Sequence, residues 1–443
     1  MGARAILAGI LAAFVLLCVG FNLLTPLYEG PDEREHVEYV MFVRETWSIP
    51  ELPHPIFEAV QPPAYYFLQA GAVTVLGLQA PPSGTENPEV GPEDPLFFEH
   101  PASERDRPLS GGVGTVRALR AVSTLLGVLT LLLVHATART LFPGRETLAL
   151  VVTGTAAFVP QFVAVHALVN NDVLAVLAGA LLLFAVARLM VEGEERSPLR
   201  YAALAGAALG LGLLAKGYAM ASIPVPFIAL LLARLGRRDL IRGAAVAAGV
   251  ALLLSGWLFV RNVSLYGEVW PDRVARQHLA QELPQSIVER SPFDPVFRDI
   301  FWRELRDSYW YRGGFGQVQA PAPVYLVLDL LTIALLAGAV GGVFVPARAR
   351  LGPTQMRILA VFAAAIVLQL AGIVYYNLSI QQFQGRWLFS VQPAIAAWMV
   401  VGLRSLLPGR IPDRLLAALP VALVALTVYM LFGVAAPAFA PAA

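Results

Sequence analysis

Charge is scarce in this chain. Of its 443 residues only 14% are Asp, Glu, Lys or Arg, against about a quarter in a soluble domain, while 57% are hydrophobic. Mean hydropathy is +0.65. That balance excludes a soluble fold and a protein held by a single anchor. The net charge of +1 leaves no basic surface for a nucleic acid. One cysteine, Cys18, cannot form an intrachain disulfide. No glycine-rich phosphate loop and no nucleophile elbow are present, so nucleotide-driven and serine-hydrolase mechanisms are set aside. No internal repeat is visible, which argues against a repeat-built transporter.

What is abundant is apolar runs. They recur at about 5–26, 114–138, 147–166, 173–191, 199–215, 218–233, 243–260, 323–345, 358–377, 387–403 and 415–434. The fold class is therefore an all-α polytopic membrane protein with about eleven transmembrane helices. No Ala-x-Ala cleavage site follows the first run, which reads as an uncleaved span. Arginines mark alternate connections: Arg139 and Arg145; Arg188, Arg196 and Arg200; Arg234, Arg237, Arg238 and Arg242; Arg348, Arg350 and Arg357; Arg404, Arg410 and Arg414. With Arg4, all of these fall on the cytoplasmic side if eleven spans are crossed. Residues 1–443 then form one membrane module, and two long polar segments, 27–113 and 261–322, lie outside. The shorter run Ala64–Leu78 would reverse every later loop if it crossed, so it reads as a helix at the outer interface, with Tyr65, Tyr66 and Phe67 in the headgroup zone. The Pro-, Gly- and Glu-rich stretch from Ala80 to Gly112 reads as flexible.

The chain is organised around Tyr28-Glu29-Gly30-Pro31-Asp32-Glu33-Arg34-Glu35-His36, placed directly after the first span. Asp32 and His36 are four apart and share a helical face, with Glu33 beside them. An acidic first turn is also an ordinary helix cap. Topology brings other polar groups to the same outer face: Asn170-Asn171-Asp172, Lys216, Arg261-Asn262, and Gln384-Gly385-Arg386-Trp387. Each has an ordinary explanation, since turn residues cap helices and basic residues at span ends snorkel to headgroups. Together they make the mouth of a site open to lipid. His54 and His166 could join the acidic residues around a metal, but no tight ligand spacing supports one, so a divalent metal stays an alternative that is not favoured.

These motifs resemble the GT-C superfamily, polytopic glycosyltransferases that use lipid-phosphate sugars and include protein O-mannosyltransferases and aminoarabinose transferases. The likeness rests on Asp32-Glu33, Pro62-Pro63-Ala64-Tyr65, Asp172 and Ala215-Lys216. It is similar more closely to a family of predicted bacterial membrane proteins in that superfamily. The matching stretches are Pro31 to His36, Gln61 to Tyr66, Asn170 to Asp172, Arg261 to Gly267, and Gly385-Arg386-Trp387-Leu388, with Trp387 in place of the usual tyrosine.

The resemblance implies an inverting transfer from a polyprenyl-phosphate sugar donor in the bilayer to an extracytoplasmic acceptor, at the cell (plasma) membrane and without a cofactor. Asp32 would be the general base, with Glu33 as second choice and Asp172 as an orienting or balancing carboxylate. Lys216, Arg261 and Arg386 would hold the donor phosphate. His36, His54, Gln61 and Asn171 are substrate-binding candidates, and Tyr65, Tyr66 and Trp387 offer a sugar platform or interfacial anchors. Two other classes fit a polytopic chain. A flippase for a lipid-linked glycan predicts charges near the bilayer midplane, whereas here they gather at span ends. A non-catalytic assembly subunit predicts that Asp32, Asp172, Lys216 and Arg386 lie scattered.

Overall fold

The computed structural model describes residues 2–88, 96–192, 198–345 and 351–440. The apolar runs form helices because a helix satisfies its own backbone hydrogen bonds, as a hydrocarbon medium requires. Among the described residues eight are long and apolar enough to cross a membrane: Ala3–Leu24 (α1), Gly111–Leu141 (α5), Asp172–Glu192 (α8), Arg237–Tyr266 (α11), Ala322–Phe344 (α14), Pro353–Tyr376 (α15), and the segments Gly385–Leu406 and Asp413–Ala438, which contain Gln392–Leu406 (α16) and Ala418–Tyr429 (α17). The other three expected positions hold shorter apolar helices, Glu146–Ala157, Leu199–Ala215 and Gly217–Leu232. Proline explains two of the interruptions. Glu146–Ala157 (α6) stops before Pro160, which restarts the chain as Pro160–Val165 (α7). Leu199–Ala215 (α9) is followed by a 3-10 turn at Gly217–Ser222, and Pro224 then opens Val225–Leu232 (α10).

Large apolar side chains such as Leu253, Val327 and Ile333 point outward, as a lipid-facing surface allows. Between helices the approach is close. A Cβ on Gly206 would lie 2.3 Å from the Ala247 carbonyl oxygen, so α9 meets α11 backbone to backbone. The arginine connections gather at one end: Asp413 is shared by Arg145 at 3.0 Å and Arg404 at 3.2 Å. Arg196, Arg348 and Arg350 lie outside the described residues. Both long polar segments meet at the other end, where Phe97 packs edge-on to Phe315, and Ile287 there bridges Ile380 in the loop after α15.

That end is built on Glu33 and Arg120. Arg120, buried in α5, donates from Nε to Glu33 Oε1 at 2.7 Å and from Nη2 to Glu33 Oε2 at 2.5 Å. It also donates to the carbonyls of Asn22, Thr25 and Pro26 at the exit of α1. Glu33 accepts the backbone N–H groups of Tyr28 and Val169 as well. Glu33–Thr46 (α2) thus begins at a fixed point relative to α1, α5 and the turn before α8. The helix in the Ala64–Leu78 run spans Ala64–Val75 (α3), 12 residues or roughly 18 Å, too short to cross a bilayer. Its Tyr65 and Tyr66 are not in a headgroup zone. Both are fully buried: Tyr66 stacks on Tyr39 at 3.7 Å, and Tyr65 hydrogen-bonds Ser123 at 3.0 Å.

The stretch expected to be flexible is tied down on both sides of residues 89–95, which lie outside the described residues. Glu29 accepts the N–H groups of Phe97 and Phe98, and Tyr28 donates to the Pro82 carbonyl at 2.5 Å. His100 lies between Glu29 at 2.8 Å and Glu104 at 2.9 Å; Glu104 sits in the short helix Ala102–Asp106 (α4). Burial disfavours the charged imidazole, but the two carboxylate hydrogen bonds outweigh it and push His100 up to about 9.

Arg120→Ala leaves a buried, unpaired Glu33 and should destabilise the protein by roughly 3–5 kcal/mol. Arg120→Lys should recover only part of this, because an ammonium cannot supply the five-donor fork. Thermal unfolding in detergent measures both. For His100, a folded value raised above the ordinary one contributes stability that is complete below about pH 6.5 and is lost as pH rises through about 9. His100→Gln should flatten the melting temperature across that window; an unchanged slope would contradict the assignment.

Candidate active site

Asp32 occupies the N-cap position of α2, but it does not cap the helix. Its φ is +60°, in the left-handed region, and its side chain makes no cap hydrogen bond. Such a conformation is uncommon outside glycine, asparagine and aspartate. Asp32 turns instead toward Arg386, whose Nη2 lies 3.5 Å from its Oδ2, and its side chain keeps 29% exposure. The neighbouring Glu33 is fully buried on Arg120. Two adjacent carboxylates therefore do different work, and Glu33, the second-choice base, is consumed by structure.

Arg386 is placed by close packing. It follows Gly385, where a Cβ would sit 2.1 Å from the Leu305 carbonyl oxygen of Trp302–Trp310 (α13), so only glycine fits there. The chain then winds as a 3-10 turn over Gly385–Val391 before α16. Arg386 Nε reaches Asp172 Oδ2 at 3.1 Å and donates to Gln384 Oε1 at 2.8 Å. Lys216, the last residue before the turn after α9, reaches Asp172 Oδ1 at 3.2 Å and donates to Asn171 Oδ1 at 2.6 Å. Asn171 in turn donates to Gln61 Oε1 at 3.2 Å. Asp172 is fully buried and holds both cations from behind.

In front of them is a cavity lined by Asp32, Glu58, Gln61, Lys216, Gln384, Arg386 and Trp387 among others. Trp387 is buried and flanked by Tyr218 at 5.7 Å and Tyr376 at 5.1 Å. The next residue, Leu388, lines a second space of about 320 Å³, an apolar groove with Trp302, Leu336, Leu370 and Trp398.

Four widely separated polar groups, Asp32, Asp172, Lys216 and Arg386, thus meet in one place with Gln61, Asn171 and Trp387. Other candidates do not. Arg261 donates to the carbonyls of Ile49 and Pro50, both at 3.2 Å, and lines a separate crevice beside Tyr266 and Trp270. His54 accepts the Ile56 N–H and packs on Phe42. His166 bonds the Phe162 carbonyl. Tyr65 and Tyr66 lie behind the cavity wall. His36 stands between, with Nδ1 2.9 Å from the Tyr66 hydroxyl and 3.9 Å from Glu58 Oε2. Burial and the nearby Lys216 and Arg386 charges hold His36 well below its ordinary value, so it is neutral. Among the described residues no group of three His, Cys, Asp or Glu side chains is arranged to hold a metal ion.

Sequence reasoning missed Glu58. It sits in a 3-10 turn, Phe57–Val60, immediately before Gln61-Pro62-Pro63. A carboxylate flanked by Phe57, Ala59 and Val60 was the available signal. Burial, followed by the charge of Asp32 and opposed by Lys216 and Arg386, pushes its carboxyl up to about 8.

Residues 111–260 match the sequence family described as dolichyl-phosphate-mannose-protein mannosyltransferase. No curated protein matches the chain. Among solved structures it is similar to ArnT from Cupriavidus metallidurans bound to undecaprenyl phosphate, with 15% identity and a TM-score of 0.50 over 98% of this chain and 73% of that one. It is also similar to the Archaeoglobus fulgidus oligosaccharyltransferase in the apo form, with 14% identity and a TM-score of 0.53 over 98% of this chain and 56% of that one. The chain therefore spans about half the length of the oligosaccharyltransferase. At these identities the structural likeness is one of architecture. The chain therefore shares the architecture of these two proteins, and residues 111–260 carry the match to the mannosyltransferase family.

Proposed function

We propose that the protein transfers a sugar, with inversion, from a polyprenyl-phosphate donor to an acceptor hydroxyl on the extracytoplasmic face of the plasma membrane. The observation that carries this reading is the convergence of a partly exposed carboxylate with two cations beside an apolar groove. Asp32 faces the cavity, Lys216 and Arg386 are held by Asp172, and Trp387-Leu388 joins the polar cavity to the groove. The undecaprenyl phosphate bound in the ArnT structure supports the donor class.

In the reaction the acceptor oxygen attacks the anomeric carbon as the bond from that carbon to the phosphate oxygen breaks. The acceptor proton passes to Asp32, which must lie within hydrogen-bond reach of the hydroxyl. The departing polyprenyl phosphate takes the bonding pair and gains negative charge, which Arg386 and Lys216 stabilise where they already stand. A phosphate of this kind needs cations rather than a proton donor. Asp172 keeps those cations positioned and prevents their mutual repulsion from spreading them. The donor's isoprenoid chain would lie in the groove lined by Trp302, Leu370 and Trp398, with its phosphate at Arg386. With Arg386 and Lys216 already placed to take the phosphate's charge, this scheme uses no divalent metal.

Asp32→Asn should abolish transfer from polyprenyl-phosphate sugars in a reconstituted assay, with a fall of at least 100-fold in kcat and an unchanged thermal midpoint; full turnover would remove Asp32 from this role. Arg386→Ala should raise the donor KM more than the acceptor KM. Treatment with EDTA should leave the rate unchanged, and loss restored by Mg²⁺ or Mn²⁺ would overturn the metal-free form of the mechanism.

A further inference from the structure

Glu58 is the one carboxyl of the cavity that this mechanism leaves idle. It is buried, and its Oε2 has no hydrogen-bond partner among the described residues. Native structures rarely leave a buried carboxyl oxygen unsatisfied without a functional reason. Nor is its position loose. The turn that carries it is held by His278, whose Nε2 bonds the Phe57 carbonyl at 3.1 Å, and by Gln61, which accepts from Asn171.

The charges around the cavity do not balance if every carboxyl is ionised. Lys216 and Arg386 face Asp172, Asp32 and Glu58, two cations against three carboxyls. Asp172 engages both cations and Asp32 engages Arg386. The other groups facing Glu58 offer no compensation. From α2 come Glu35, paired with Arg34 at 3.0 Å, and the neutral His36; from α3 comes the phenol of Tyr66; from Asp272–Glu282 (α12) comes His278, whose Nε2 is spent on Phe57. The surplus carboxyl is the most buried one with no cation of its own. Protonation resolves the imbalance, and a protonated carboxyl donates as well as accepts.

We infer that Glu58 works as a neutral, proton-bearing carboxyl that hydrogen-bonds a hydroxyl of the donor's sugar, and that its ionisation expels the anionic donor. This rests on the donor class proposed above. The phosphate belongs on Lys216 and Arg386, so the sugar attached to it lies over the wall that Glu58 and Asp32 share. An ionised Glu58 would still accept a hydrogen bond, but it would add a negative charge beside the phosphate in a site where little water screens it.

The test compares binding of undecaprenyl phosphate with binding of its mannosyl and arabinosyl derivatives to the full-length protein in detergent. Glu58→Ala should weaken the better glycosylated ligand about tenfold, the loss of one good hydrogen bond, and leave the bare lipid phosphate unchanged. Glu58→Gln, which keeps a neutral donor and the same shape, should retain both affinities. Wild-type affinity for the glycosylated lipid should fall as pH rises through about 8, while that of Glu58→Gln stays flat. Equal losses for bare and glycosylated lipid in Glu58→Ala, or an identical pH profile in Glu58→Gln, would overturn the inference. So would a Glu58→Gln protein as inactive as Asp32→Asn, since Glu58 would then act as an ionised base. Failure of the wild type to bind any of the three lipids would instead overturn the donor class. Melting curves of each variant separate a binding defect from misfolding.

Discussion

The arrangement at the loop end depends on a guanidinium with nowhere else to go. Arg120 is enclosed by α1, α2 and α5, and its donors are spent on Glu33 and on the carbonyls that α1 leaves at its C-terminus. Removing two charges from water costs as much as their attraction returns, so the pair is poor evidence of net stability. Its effect is geometric. Helix ends leave carbonyls without partners, and here one side chain satisfies that of Asn22 in the last turn of α1 and those of Thr25 and Pro26 just beyond it while gripping the first residue of α2. The chain is thereby forced to turn tightly at Asp32, and the left-handed backbone there turns the carboxylate away from its own helix.

The same economy governs the cations. Arg386 and Lys216 arrive from distant parts of the chain and would repel each other if left alone. Asp172 binds one with each oxygen, and Asn171 adds a second contact to the lysine. The pair is preorganised before any ligand arrives, which is where an electrostatic site gains most of its advantage. Asp32 lies at the edge of this network rather than inside it. At 3.5 Å from Arg386 and with part of its surface open, it is steered without being neutralised.

Much of this was legible in the residues. Apolar length gave the helices, and the arginine bias separated the two ends, because both signals depend only on the cost of polar groups in hydrocarbon. Sidedness then collected Asp32, Asp172, Lys216 and Arg386 from four regions of the chain. The division of labour between Asp32 and Glu33 was not legible. Consecutive residues at a helix start point in different directions, and which one meets Arg120 depends on how α5 packs. Tyr65 and Tyr66 looked like interfacial aromatics by composition; packing against Tyr39 and Ser123 put them inside. Arg261 has the same local appearance as Arg386, yet the carbonyls of Ile49 and Pro50 claim it. The breaks between α6 and α7 and before α10 were not legible from hydropathy, which does not register where Pro160 and Pro224 restart the helix.

Consecutive residues Trp387 and Leu388 face two different media, one a polar chamber among the loops and the other a greasy groove with the outward-facing Leu336 and Trp302 at its margin. A ligand with a charged head and a hydrocarbon tail could slide in sideways from the bilayer, confined to two dimensions, while a water-borne ligand descends from above. Traffic of the two kinds need not cross. Neither route has to be shut for the other to be used, and a spent lipid could drift away along the path by which it came without passing the newly made product.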